Sequence, residues 1–135
     1  MNRLSGKVAV ITGGNAGIGE AIAMAFAREG ASVVITGRRQ GELDRVASEI
    51  MKEQSKAYAV AGSVTDESHV QEVTRRTMQQ FGRLDILVNN AGIGDFGKRL
   101  HEIDDATWAQ VLDVNLTGVF RMTRAVLPQM LKQGK

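Results

Sequence analysis

The amino-acid sequence predicts an α/β fold in which helices cover both faces of a doubly wound parallel sheet. Short apolar runs rich in β-branched residues alternate with longer segments whose apolar residues recur at helical spacing. A continuous apolar run suits a strand buried on both faces, and the repeated strand–helix order favours right-handed crossovers. No linker or low-complexity segment is visible, so residues 1–135 are expected to form one domain.

The first strand is predicted at Lys7–Thr12, where KVAVIT is an unbroken apolar, β-branched run. Apolar residues from Ile18 to Phe26 then recur at helical spacing, and the helical stripe stops at Gly30, a residue type common just after a helix end. The second strand and the second helix follow at Ser32–Thr36 and Leu43–Ile50.

The second half of the chain repeats this order. The third strand, third helix, fourth strand and last helix are predicted at Ala57–Ala61, Thr65–Phe81, Leu84–Asn90 and about Thr107–Lys132. The fourth strand is apolar on both faces and suits a central position, and the last helix is apolar nearly all round. Because no fifth strand follows, we expect an unpaired edge and a chain that self-associates or is poorly stable.

Composition excludes several functional classes. The net charge is +2 and no run of five like charges occurs, so binding to nucleic acid or to a membrane surface is not expected. The absence of cysteine excludes disulfides and thiolate metal sites and fits a reducing compartment. No segment has the length of a signal peptide or a transmembrane helix, so a soluble cytoplasmic protein is expected.

The stretch ITGGNAGIGE, Ile11–Glu20, lies where the first strand ends and the first helix begins. Glycines let a backbone turn tightly and approach a pyrophosphate, and a helix N-terminus attracts phosphate. The stretch lacks the Gly-Lys-Ser/Thr of a P-loop, and its glycine spacing differs from G-x-G-x-x-G. By itself the pattern leaves two interpretations open, a phosphate site and a glycine-rich turn.

Three motifs, in order, carry a family resemblance. T-G-x-x-x-G-x-G, beginning at Thr12, resembles the cofactor loop of the classical short-chain dehydrogenases/reductases. NNAG at Asn89–Gly92 is similar to the family's next signature, and W-x-x-V-x-D-V-N-L-x-G-V-F from Trp108 resembles the helix that carries its active-site asparagine, here Asn115. The resemblance covers essentially the whole chain and implies a Rossmann-type sheet, here truncated after the fourth strand and its following helix.

The resemblance also implies the residues that meet a dinucleotide. The cofactor-binding residues expected on this basis are Gly13, Asn15, Gly17, Ile18, Gly19, Arg38, Ser63, Val64, Asn89, Ala91 and Gly92. Those of the glycine loop would lie along the pyrophosphate, those of NNAG beside the adenosine ribose, and Val64 either on the adenine face or in the core. At Ser63 the family usually has an aspartate that accepts from the adenine amino group, and a serine should do so less well.

The end of the second strand bears on the choice between NADP(H) and NAD(H). Dinucleotide folds that use NAD(H) place an acid there, but this sequence has Gly37 and Arg38. An arginine can bind a 2′-phosphate bidentately, so NADP(H) is favoured and NAD(H) is the alternative. Arg38 and Arg39 could instead be solvated loop charges, and Ala16 stands where family members that prefer NADP(H) often have a basic residue.

The family transfers hydride between nicotinamide and a small-molecule carbonyl/alcohol pair, with a tyrosine, its neighbouring lysine, a serine and an asparagine at the site. Asn115 alone is matched, since the serine and Tyr-x-x-x-Lys follow a fifth strand and this sequence stops at Lys135. Tyr58, the only tyrosine, is interpreted as a packing residue. The chain alone is therefore expected to bind cofactor without turnover; a non-catalytic dinucleotide-binding or regulatory protein, or a partial gene product without function, is the alternative.

Several further residues are assigned roles. His69 and His101 are expected at the surface, and the acids Asp104 and Asp105 are expected to cap the last helix and not to bind a metal. Of the residues that could touch a substrate, only Gly94–Leu100 are present. The family uses the last helix in its main subunit contact, which implies a homo-oligomer.

Overall fold

The computed structural model describes residues 2–94 and 97–134, which form one parallel sheet with helices on both sides. The strands are β1 (Val8–Thr12), β2 (Ser32–Gly37), β3 (Ala57–Ala61) and β4 (Ile86–Val88). The helices are α1 (Gly17–Arg28), α2 (Gln40–Lys52), α3 (Glu67–Phe81), α4 (Asp105–Leu112) and α5 (Gly118–Gln133). A 3₁₀ turn at Leu100–Glu102 precedes α4, and a π-helical turn at Asp113–Thr117 joins α4 to α5.

The strand order is β3-β2-β1-β4, and every pair is parallel. Successive residues of β1 point to opposite faces, so Ala9 and Ile11 pack in one core with α1 and α2, whereas Val10 packs in a second core with α3 and α5. All five residues of β1 are buried, as the unbroken apolar run predicts. The prediction of a doubly wound α/β sheet is confirmed.

β4 is shorter than the predicted Leu84–Asn90, and before it side chains supplement the backbone bond from Asp85 to Val8. The Gln133 amide donates to the carbonyl oxygen of Leu84 at 2.9 Å and accepts from its N–H at 3.0 Å. The Asp85 carboxylate accepts from the N–H of Val8 at 2.9 Å. Among the described residues β4 pairs with β1 alone, so its other edge is free.

The predicted last helix is divided by the π-helical turn, which is centred on Asn115. The apolar stripe continues through this turn, so periodicity alone gives no sign of it. At the start of α4, the carboxylate of Asp104 accepts from the N–H of Thr107 at 2.8 Å, which confirms the predicted capping role. Within the described ranges no group of three or more histidines and acids is placed to hold a metal.

The expectation that His69 lies at the surface is wrong. Its side chain is buried, and Nε2 lies 2.8 Å from Oγ1 of Thr36 at the end of β2. The physical reason is helical geometry, since His69 shares the inward face of α3 with Val73 and Thr77, four and eight residues further on. Tyr58 packs against the second core, as expected.

Over the part of the chain that the structure describes, no helix combines the length and the apolar character needed to span a membrane.

Candidate functional site

A cleft of about 180 Å³ lies at the carboxyl ends of the strands. Its walls are Thr12, Gly13, Asn15, Thr36, Gly37, Arg38, Arg39, Gly62, Val64, Ala91, Gly92, Ile93 and Val114. From β1 the chain crosses to β2 on one side, and after β3 it returns to β4 on the other. Open α/β sheets bind ligands at such a reversal of strand order.

The glycine loop that follows β1 requires its glycines for two different reasons. Gly13 and Gly17 have φ of +67° and +56°, a region that side chains other than glycine rarely adopt. Gly19 is limited by space, since a Cβ there would overlap the carbonyl oxygen of Gly13. Ala16, the residue before α1, has no side-chain oxygen to cap the helix. The loop therefore brings Gly13 and Asn15 to the cleft just before the positive end of α1.

The Thr12 hydroxyl joins this loop to the segment after β4. Its Oγ1 accepts from the backbone N–H groups of Asn90 and Ala91, each at 2.9 Å. The Asn90 amide in turn donates to the carbonyl oxygen of Gly13 at 3.2 Å. Sequence reasoning gave neither Thr12 nor Asn90 a role, although both belong to the motifs that it singled out.

Asn115 lies beside the same segment. Its Nδ2 donates to the carbonyl oxygen of Ile93 at 2.7 Å, and its Oδ1 accepts from the N–H of Ile93 at 2.8 Å. This pair of bonds fixes the segment after β4 against the π-helical turn. The structure thus places the candidate catalytic residue next to Gly92, where an added Cβ would lie 3.4 Å from the Asn115 Oδ1.

The segment after β3 is held by local bonds and by α5. Ser63 Oγ accepts from the N–H of Thr65 at 3.1 Å and lies 2.8 Å from its hydroxyl oxygen. Val64 is buried, and the Arg121 guanidinium donates to its carbonyl oxygen at 3.2 Å. Arg121 also pairs with Asp113 of the π-helical turn at 2.8 Å. Sequence reasoning missed Arg121, because the Val64 carbonyl that it binds lies 57 residues earlier in the chain.

The charges that line the cleft are positive. Arg38 and Arg39 are exposed, and neither makes an ion pair or a side-chain hydrogen bond with another described residue. Most other arginines of the described chain are paired, as Arg45 is with Glu20 at 2.9 Å. No carboxylate is among the residues that line the cleft. The site is therefore suited to an anion of the size of a phosphate.

Some of the predicted cofactor-binding residues do not line the cleft. They are Gly17, Ile18, Gly19, Ser63 and Asn89. Ile18 is 73% exposed at the start of α1, and the Asn89 amide donates to the Thr123 hydroxyl at 3.2 Å. Of the Gly94–Leu100 segment expected to touch substrate, Asp95 and Phe96 lie outside the described residues.

Comparison with known proteins gives consistent matches. A family model described as short chain dehydrogenase matches residues 7–135. The 3-oxoacyl-(acyl-carrier-protein) reductase FabG of Thermotoga maritima is 40% identical over 131 residues, covering 97% of this chain and 53% of the relative. Oxidoreductase UcpA of Escherichia coli K12 is also 40% identical, over 97% of this chain and 49% of the relative.

A solved structure shares the fold closely. It is the crystal structure of a metagenomic short-chain oxidoreductase in complex with NADP, with a TM-score of 0.90 and 38% sequence identity. The match covers 96% of this chain and 59% of that one. The chain thus spans about half the length of the curated relatives that it matches.

Proposed function

The chain belongs to the short-chain dehydrogenase family, and from this we propose that it supplies the dinucleotide-binding part of an oxidoreductase acting on a small-molecule carbonyl/alcohol pair with NADP(H). The observation that carries the proposal is the cleft at the reversal of strand order, which combines the glycine loop with two unpaired guanidiniums. Residues 1–135 would act as one dinucleotide-binding domain.

The predicted residues have distinct roles in this proposal. The backbone of Gly13, Gly17 and Gly19 receives the pyrophosphate at the start of α1, where the helix dipole favours negative charge. Ala91 and Gly92 lie beside the ribose, and Val64 contacts the adenine. The bound cofactor supplies hydride chemistry; this chain would bind it and hold it against the Asn115 turn.

NADP(H) is preferred in this proposal because of the charges at the end of β2. Gly37 leaves no carboxylate to repel a 2′-phosphate, and Arg38 is free to bind it with two N–H groups. Asn15 accounts for Gly37 being a glycine, since a Cβ there would lie 2.6 Å from the Asn15 Oδ1. The relative solved with NADP supports this preference.

Calorimetric titration with NADPH and NADH tests the proposal. Loss of charged hydrogen bonds in Arg38→Gln should weaken NADPH binding by about tenfold or more and leave NADH unchanged. Arg39→Gln is the matched control and should have the smaller effect. Failure of the wild-type chain to bind either dinucleotide would overturn the proposal. If Arg38→Gln weakened NADPH and NADH binding equally, Arg38 would not be the residue that binds the 2′-phosphate.

We also propose that the chain by itself binds cofactor without turnover. Its single tyrosine, Tyr58, has its hydroxyl 3.5 Å from the Arg76 guanidinium and is not part of the cleft lining, so it is not placed to exchange a proton with substrate. Measurable NADPH oxidation by the purified chain, with contaminants excluded, would contradict this.

The proposed partner besides substrate is a second copy of the chain. Phe120, Leu127 and Leu131 leave an apolar strip exposed along α5. Exposed apolar strips of this kind mark contact surfaces between subunits. A cytoplasmic location is proposed because a chain without cysteine suits a reducing compartment.

A further inference from the structure

Behind the wall of the cleft, on the side of β3, lies His69. It is 7% exposed, at the start of α3, and it does not line the cleft. Its Nε2 lies 2.8 Å from the hydroxyl oxygen of Thr36, a residue of the cleft wall 33 positions earlier in the chain. The imidazole therefore contacts the end of β2 from outside the ligand site.

The same ring fixes the end of β3. A Cβ on Gly62 would overlap the Nδ1 of His69, so the ring occupies the space that a side chain at position 62 would need. The N–H of Gly62 donates to the carbonyl oxygen of Gly37 at 2.8 Å, which ties the two strand ends together. Thr36, Gly37 and Gly62 all line the cleft, so His69 lies directly against two wall residues and is linked to Gly37 through the backbone bond from Gly62.

Burial, and not the charges around it, favours the uncharged ring of His69 near neutral pH. Burial lowers the pKa of the imidazole, whereas the carboxylates of Asp66 and Glu72, on the same helix, act in the opposite direction. The strand ends present Thr36 and Gly62, which carry no charge, and Arg76 lies in the adjoining groove. A neutral imidazole can pair with a hydroxyl group in either direction, so the bond to Thr36 persists in both tautomers.

We propose that His69 is a positioning residue for the adenosine end of the dinucleotide cleft, holding the ends of β2 and β3 through Thr36 and Gly62. The inference rests on the proposed function, because the ligand it concerns is the adenosine 2′-phosphate half of NADP(H). The ring touches no ligand atom; it sets the distance between Arg38, which follows β2, and Val64, which follows β3. Substitution of His69 should therefore weaken binding of the adenosine 2′-phosphate half selectively.

Calorimetric titration with adenosine 2′,5′-bisphosphate measures this half alone. His69→Ala should weaken its binding by about fivefold or more, the scale of one net hydrogen bond. His69→Gln places an amide near Nε2 and should restore most of the affinity. Val73→Ala removes a buried side chain of the same helix that does not line the cleft, and it should lower thermal stability without changing the affinity.

A double-mutant cycle tests the contact with Gly62. Gly62→Ala should weaken binding more in the wild-type background, where the methyl group overlaps the ring, than in the His69→Ala background, where only the backbone strain of a Cβ at φ +157° remains. Additive effects would overturn the inference, and so would unchanged affinity in His69→Ala, in Gly62→Ala and in the double variant. In either case, binding by the wild-type chain would still support the proposed function. A wild-type chain that binds neither the bisphosphate nor NADPH overturns the proposed function and the inference with it.

Discussion

A single hydroxyl group, that of Thr12, holds the glycine loop and the NNAG segment in register. It receives two backbone N–H groups that no strand partner satisfies, across 78 and 79 residues of chain. Buried backbone donors without acceptors are costly, so this position at the end of β1 needs an oxygen on a β-branched side chain. That requirement explains a threonine where the rest of the strand is purely aliphatic.

Thr12→Val keeps the shape of the side chain and removes the acceptor. We expect the free energy of unfolding to fall by about 2 kcal/mol, because the two N–H groups lose their partner. Chemical denaturation measures this loss, and Thr12→Ser, which keeps the oxygen, should retain most of the stability. A valine variant as stable as the serine variant would show that the two donors find another acceptor.

At the scale of elements, three strands and three helices follow directly from apolar patterning. β1, β2 and β3 differ from the predicted bounds by no more than one residue. For β1 and β2 the reason is burial on both faces, which shows itself as an unbroken apolar run. The π-helical turn and the short β4 do not follow, because both are set by side chains that bond to distant backbone, Asn115 to Ile93 and Gln133 to Leu84.

The functional site shows the same difference between features set by local sequence and features set by distant contacts. Motif spacing predicted the glycine loop and Arg38, which are local features of the chain. It missed Thr12, Asn90 and Arg121, whose bonds to distant backbone form only once the strands lie side by side. His69 was misjudged because Asp66 and Ser68 make the first turn of α3 look solvated, although its spacing to Val73 already placed it on the buried face.

The π-helical turn gives a prediction at this scale. Asn115→Ala removes both bonds to Ile93, so amide hydrogen exchange at Ile93 should accelerate by roughly fivefold, the scale of one net hydrogen bond. Leu116→Ala is the matched control, because Leu116 belongs to the same turn and its side chain is 65% exposed. Unchanged exchange at Ile93 in the Asn115 variant would show that the turn keeps its place without the amide.

The buried face of α3 gives a pH prediction. Burial lowers the pKa of His69 below 6.5, so between pH 6.5 and that lower value the unfolded chain binds a proton that the folded chain does not. Stability should therefore fall as the pH is lowered through this window. The pKa values of Asp66 and Glu72 are also lowered, Glu72 to about 2, but from ordinary values of 3.8 and 4.5, so their contributions are lost only at lower pH.

Urea denaturation at pH 7 and pH 5.5 measures this effect. His69→Gln does not titrate, so its stability should change less than that of the wild type between the two pH values. Equal changes in the two proteins would assign the pH dependence to other groups.

At the scale of the whole molecule, the two layers of helices differ in how well they are covered. α1 and α2 bury a continuous core of alanines and larger aliphatic residues, whereas α4, the π-helical turn and α5 leave Trp108, Leu116 and Phe120 more than half exposed. Large apolar patches of this kind mark contact surfaces. The molecule is therefore expected to associate through the α4–α5 side.

Sedimentation velocity over a range of concentrations tests this expectation. The wild-type chain should self-associate, and Leu127→Glu should shift it towards monomer, since Leu127 is 44% exposed in the α5 strip and a buried carboxylate is costly. Met51→Glu, on α2 and 52% exposed, is the matched control and should leave association unchanged. A sharp monomer boundary for the wild type at high concentration would contradict the proposed contact.

The bond between Gln133 and Leu84 gives the fold a cooperative unit. Because one amide at the end of α5 satisfies both backbone groups of the residue that leads into β4, the last helical turn cannot unwind without exposing a buried segment 49 residues earlier. Local opening events spread over elements that share such bonds. Fraying of the last turn of α5 is thereby coupled to the residue that leads into β4, the strand whose carboxyl end precedes the Ala91–Ile93 wall of the cleft.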